Sequence, residues 1–342
     1  MKRTYLFLIV IITIFLIPSA SAHVPISSGD NDSIERALHV HEPTKSWAIY
    51  DEISELGQAK YYRFTLKEGD RLRISLYTPE EGKFSPNCVI MASNIESKGT
   101  IPDYVEVPEG YNFEVLEGKR SGEAEYEPFT PASYYYTVDY DEEVNATGTY
   151  YIAVYEPNNT GKFGIAIGYV EKFDIDEWLL VPIDVINIRV WEGQSLAVIF
   201  APMMIILIFG MGIMIWKIKN IGKFNFINPP KTTFAWLVYL SSLIYVGSGF
   251  MVLHQMSIAL SRSAVGASVV VTLIFAAIPI ILGYAILNVA LKEEKPMEKR
   301  DIIKLFLFGI LGLIFWAGLI VGPVLVIGMC IVSLYILISY KK

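Results

Sequence analysis

Cysteine and histidine are scarce in this chain, and charge is missing where its apolar runs are longest. Of 342 residues, two are cysteine and four histidine. Cys88 lies in a polar region and Cys330 in an apolar one, which excludes a disulfide framework and leaves the polar region to be held by its core. G-x-S-x-G, H-E-x-x-H, P-loop and Rossmann glycine patterns are all missing, so no enzyme class marked by those motifs is indicated. The centres of the apolar runs carry no Asp, Glu, Lys or Arg, which argues against a pump or proton-coupled transporter. The segments between those runs are too short to hold a kinase or cyclase domain.

What is abundant is apolar surface. Hydrophobic residues make up 53% of the chain and the mean hydropathy is +0.42, a composition that predicts several membrane spans. Charge is divided unevenly. Residues 23–194 hold 31 acids and 14 bases, a net −17, whereas residues 195–342 hold 4 acids and 12 bases, a net +8. That division predicts an acidic external domain followed by a basic membrane domain, and the acidic surface argues against nucleic-acid binding.

The N-terminus has the form of a signal peptide over residues 1–22. Lys2 and Arg3 precede an apolar stretch from Leu6 to Ile17, and Ala20-Ser21-Ala22 is a small-x-small cleavage site. A cut after Ala22 would leave His23 with a free amino group.

Residues 23–172 read as an all-β domain. Lys60–Leu66 and Arg71–Tyr77 are β-rich runs around the turn Lys67-Glu-Gly-Asp70, and Gly148–Tyr155 and Phe163–Val170 flank Glu156–Gly161. Both pairs read as hairpins. Apolar 72, 74 and 76 alternate with polar 71, 73 and 75, so one face is expected buried and the other wet. These two stretches, "YYRFTLKEGDRLRISLYTP" and "GTYYIAVYEPNNTGKFGIAIGYV", resemble the first and last hairpins of the pre-peptidase C-terminal (PPC-like) domain of secreted prokaryotic proteins. The resemblance covers roughly residues 45 to 172 and departs from the pattern over 80–140. It implies a jelly-roll-like sandwich acting as a non-catalytic binding or accessory module. The whole-chain arrangement is similar to that of uncharacterised archaeal membrane proteins, a resemblance that implies no activity.

Residues 173–194 join the two parts. Leu179, Ile183, Ile186 and Val190 recur at helical spacing between Trp178 and Trp191, which predicts an amphipathic helix on the outer membrane surface. A last strand of the sandwich is the alternative. Five spans follow at 195–216, 233–254, 267–291, 304–321 and 323–340, the last two divided at Gly322-Pro323. Lysines and arginines collect at 217–231, 292–300 and 341–342, which places those segments inside, the N-terminal domain outside the plasma membrane and the C-terminus in the cytoplasm.

Candidate sites are few. His23, His39 and His41 fall close together after the cleavage site. An N-terminal histidine offers its amine and ring nitrogen to copper, and His39 or His41 would complete a three-nitrogen set. This is similar to the histidine brace of copper-dependent oxidases. The alternative is a cleavage site that happens to precede a histidine. Asn31, Asn145 and Asn158 begin glycosylation sequons, all in the acidic part. Asp139–Glu143 reads as a solvated acidic turn or a calcium-binding loop. The leading functional reading is a membrane-anchored surface protein that binds a glycan or protein ligand outside, with the bilayer and another membrane protein as further partners. Copper binding comes second, and a small-solute transporter or sensor third.

Overall fold

The structure, a computed structural model, describes residues 23–79, 82–219, 232–291 and 299–339. The segment read as a signal peptide, several of the loop lysines and the terminal lysine pair lie outside the described residues. Two compact units meet at Asp174–Ile175, the first β-rich and the second helical.

The β unit contains β1 (Val24–Ser27), β2 (Leu38–His39), β3 (Trp47–Ile53), β4 (Ala59–Leu66), β5 (Arg71–Thr78), β6 (Asn87–Ala92), β7 (Asn112–Leu116), β8 (Glu125–Glu127), β9 (Ala132–Glu143), β10 (Gly148–Tyr155) and β11 (Gly161–Ile167). They form a six-stranded sheet, β1-β3-β11-β5-β9-β8, and a five-stranded sheet, β2-β4-β10-β6-β7. Alternation decides what lies between the sheets. Leu72, Ile74 and Leu76 of β5 and Phe163, Ile165 and Ile167 of β11 point inward from one sheet. Tyr62, Phe64 and Leu66 of β4 and Ile152 and Val154 of β10 meet them from the other. Each large side chain removed from water in this way contributes about 1.5–3 kcal/mol.

The four strands anticipated from sequence form, but neither expected hairpin does. β4 and β5 lie in different sheets, as do β10 and β11. β4 instead pairs antiparallel with β10, and β5 pairs with β11 and β9. Both turns arch across the core. A strand with one apolar face is satisfied on either side of that core, and alternation alone does not distinguish a hairpin from an arch.

One polar network lies inside this unit. The buried Asp51 carboxylate accepts from Tyr62 Oη at 2.7 Å and from Asn31 Nδ2 at 3.1 Å, and Lys60 Nζ stands 3.8 Å away. A buried carboxylate without such donors would cost several kcal/mol. Burial, then Asp51, holds the Tyr62 phenol protonated far above its usual range.

The helical unit has six helices among the described residues: α1 (Ile175–Trp191), α2 (Leu196–Lys219), α3 (Thr233–Leu260), α4 (Val269–Ala290), α5 (Lys299–Ile314) and α6 (Val321–Ser339). By length and composition three of them, α2, α3 and α4, are suited to crossing a membrane, and the stretch Val321–Tyr335 is apolar but shorter. The expected five-helix bundle is therefore corrected to six helices with three candidate spans. The sixteen residues of α5 reach about 24 Å, less than the ~30 Å hydrocarbon thickness. The last two helices part at residues 315–320, not at Gly322-Pro323. Trp316, Gly318 and Leu319 take positive φ there, and Pro323 falls in the first turn of α6, where its missing N–H leaves no bond unmade.

Residues 175–191 are helical, and the alternative of a last strand is set aside. The helix is docked onto its own unit. Trp178 packs on Trp316 with ring centroids 4.3 Å apart, and Trp316 Nε1 donates to the Trp178 carbonyl at 2.7 Å. The buried Arg189 reaches both carboxylate oxygens of Glu192 at 2.8 Å, and Gln194 and Gln255 exchange hydrogen bonds at 2.8 and 2.9 Å. Small residues admit close helix contact. A Cβ on Gly312 would fall 2.0 Å from Tyr245 Oη, and one on Gly322 would fall 2.8 Å from the same ring.

Candidate functional site: a trough on the outer face of the six-stranded sheet

The central strand β11 reads Gly-Lys-Phe-Gly-Ile-Ala-Ile. Its odd-numbered positions 163, 165 and 167 fill the core, which turns Gly164 and Ala166, followed by Gly168, to the outer face. Beyond Lys162 at its start, the outer face of this central strand carries only glycine and alanine, which leaves a channel between its neighbours.

Register names the walls, because directly paired residues share a face. Gly164 is flanked by Tyr50 of β3 and Tyr77 of β5, and Tyr77 in turn faces Tyr136 of β9. Ala166 is flanked by Ala48 and Ser75, with Asp139 beyond. At the open end Gly168 donates to the Arg73 carbonyl, and Arg73 pairs with Asp141. A β-bulge between Leu76 and Tyr77 makes Thr137 the extra residue of β9 and keeps Tyr136 on the outer face. The resulting cleft is about 410 Å³, lined by His23, Arg73, Tyr77, Glu125, Tyr136 and Asp139 among others. That is within the size range of small-ligand sites.

Glycine is required at two of these positions. A Cβ on Gly164 would lie 2.2 Å from the Tyr77 ring. Gly168 has a φ of +93°, and a Cβ there would lie 2.1 Å from the Lys45 carbonyl oxygen. Tyr77 therefore lies across the bare strand, with Tyr134 at 4.7 Å and Tyr136 at 5.6 Å between ring centroids. Burial first, then Tyr50 and Tyr136, raises the Tyr77 phenol well above its ordinary range. Burial, then Glu127 and Glu125, does the same for Tyr136. Both are neutral hydroxyls at any physiological pH.

Charge at the open end is arranged in pairs. Arg73 reaches Asp139 at 2.8 Å and Asp141 at 3.2 Å, and Ser75 Oγ donates to Asp139. Glu125 and Glu171 line the same cleft. The stretch 139–143 is thus the end of a strand, not a turn. Its Asp139 and Asp141 are held by Arg73, and Asp141 also by Arg71, so these two carboxylates are engaged in ion pairs.

The three histidines do not assemble. His23 borders the trough beside β1, its Nδ1 hydrogen-bonded to Ser46 Oγ. Burial, and then Arg73, pushes its pKa down to about 4. His39 is on β2, at the edge of the other sheet, and its ring lies 4.2 Å from that of His41. Desolvation first, then His41 and Arg63, lowers the His39 pKa. Among the described residues no group of three or more His, Cys, Asp or Glu side chains is placed to hold a metal ion.

The sequons differ in access. Asn145 and Asn158 are exposed, but Asn31 is 1% exposed. Its amide nitrogen, where a glycan would attach, instead donates to Asp51 and to the Tyr61 carbonyl. Sequence reasoning missed the trough itself. Its signal was present in "FGIAIG", where every second residue is small.

Compared with known proteins, the chain matches no family model and no curated protein.

Proposed function

We propose that this protein is a membrane-anchored surface recognition protein without a catalytic site. The β unit is its recognition module, read as a PPC-like jelly-roll-like sandwich outside the cell, and the helical unit is its anchor. In this reading residues 1–22 are a cleaved signal, the three candidate spans α2, α3 and α4 cross the bilayer, and the C-terminus is cytoplasmic. One observation carries the proposal: the cleft beside Ala166 and Gly168, walled by Tyr77, Tyr136 and Tyr169. A sheet face needed only for stability would be covered by larger side chains, since each methylene buried is worth about 0.8 kcal/mol. A central strand whose outer side chains are small, leaving a cleft walled by aromatic rings beside it, is a surface shaped for another molecule.

Copper binding is not adopted. It needs His39 or His41 near His23, and His23 stands beside β1 at the edge of one sheet while His39 lies on β2 at the edge of the other. The exposed Asn145 and Asn158 remain the glycosylation candidates.

The test is ligand binding by full-length protein in lipid nanodiscs, followed by tyrosine fluorescence and by hydrogen exchange of β5, β9 and β11. Peptides and oligosaccharides of positive, zero and negative charge are the probes. Binding that protects these three strands, and that Ala166→Leu abolishes, supports the reading. Binding unaffected by Ala166→Leu, or protection confined to the other sheet, would refute it. Protease shaving of intact cells that leaves the β unit untouched would refute the external placement.

A further inference from the structure

We propose that the trough binds a basic ligand, an ammonium or guanidinium group on an alkyl stem such as a lysine or arginine side chain. The inference rests on the trough being a recognition site, and it names the chemistry of what enters. Three carboxylates line the cleft, those of Glu125, Asp139 and Glu171, against one guanidinium, that of Arg73. Arg73 is already bridged to Asp139 and Asp141. Asp139 nonetheless keeps 62% of its side-chain surface in water, and Glu125 is exposed. A second cation therefore meets the exposed Glu125 and the water-facing side of Asp139, whereas an incoming anion meets a guanidinium already held by two carboxylates.

The walls suit the rest of such a ligand. An alkyl stem would lie in the cleft that Ala166 and Gly168 line, to which they contribute no side chain longer than a methyl group. Tyr77, Tyr136 and the exposed Tyr169 line the cleft, and a cation held against aromatic faces gains about 0.5–2 kcal/mol. Tyr77 and Tyr136 are neutral, so they do not offset the attraction of the carboxylates. At longer range the net −17 of residues 23–194 draws a cation in and repels phosphates and nucleic acids. A neutral glycan would use the rings but gain nothing from this charge.

The experiment compares three probes on the full-length protein in neutral-lipid nanodiscs: agmatine, a blocked Gly-Arg-Gly peptide and cellohexaose. Two double variants separate the cleft from the overall charge. Glu125→Gln with Glu171→Gln removes charge from the cleft, and Glu55→Gln with Glu68→Gln removes the same charge from exposed positions elsewhere. The expected result is salt-sensitive binding of both cationic probes, weakened about tenfold by the first pair and unchanged by the second, a difference of ~1.4 kcal/mol. Agmatine binding as tightly as the peptide would identify a free amine as the source, and tighter peptide binding a protein partner; either supports the proposal. Equal loss in both double variants would overturn it, because the cation would then be following net charge alone. Cellohexaose binding that Ala166→Leu abolishes, with no binding of cations, would overturn the ligand class and leave the recognition site standing. No binding of any probe, with no change in hydrogen exchange at β5, β9 or β11, would overturn both.

Discussion

His23 shows how a residue read for one property acts through another. Its ring is held neutral by burial and by Arg73, with a pKa of about 4 against an ordinary 6.5. The unfolded chain therefore binds a proton that the folded chain refuses between those values. The stabilisation is complete above pH 6.5 and is lost as the pH falls toward 4. Thermal unfolding from pH 7 to 4.5 should show a falling midpoint, and His23→Gln should flatten that slope; an unchanged slope would mean that His23 is solvated. Asn31 is a second such residue. Read as a sequon, it proves to be a donor to the buried Asp51. Mass analysis of native protein from an N-glycosylating cell should find sugar on Asn145 or Asn158 and none on Asn31. Tyr62→Phe removes the shortest donor to Asp51 and should cost about 1–3 kcal/mol in denaturant unfolding.

At the scale of elements, β11 and α1 both depend on what lies beside them. β11 is apolar inward and carries small residues outward, and the ring of Tyr77 covers Gly164. Gly164→Val drives two methyl groups into that ring. The expected result is a loss of a few kcal/mol, of the size seen for overpacking, and a changed tyrosine spectrum. Gly164→Val combined with Tyr77→Ala should recover part of the loss, and no recovery would mean that the glycine serves another contact. In α1, the indole hydrogen bond and the Trp178–Trp316 stack join the helix to the turn before α6. Trp316→Ala should raise hydrogen exchange in α1 selectively. Exchange that rises equally throughout the helical unit would assign Trp316 to general packing.

For the whole molecule, the uneven charge and the apolar second half belong together. An acidic β unit with its own core and a helical unit with three candidate spans are what the composition anticipates. Membrane association follows from those three helices, and fractionation should recover the protein with membranes after a high-salt wash. Release by salt alone would make the helices peripheral.

Residue pattern by itself determined a good deal. β-rich runs between turn signals located β4, β5 and β10 to within one residue and β11 to within three. Long uncharged runs located α2, α3 and α4, because an apolar segment of that length has few other places to go. The 3.6-residue spacing of 179–190 gave the joining helix. Pairing, by contrast, was decided only in three dimensions. A strand does not encode which sheet it joins, so two expected hairpins became arches. Pro323 opens a helix instead of dividing one, because proline obstructs only the turn before it. The trough belongs to the same class. It needs β3 and β5 set on either side of β11 with β9 beyond β5, strands that are far apart in sequence, β3 beginning at Trp47 and β11 at Gly161. The short local pattern that marks it became legible once the register placed Tyr50, Tyr77 and Tyr136 in one row.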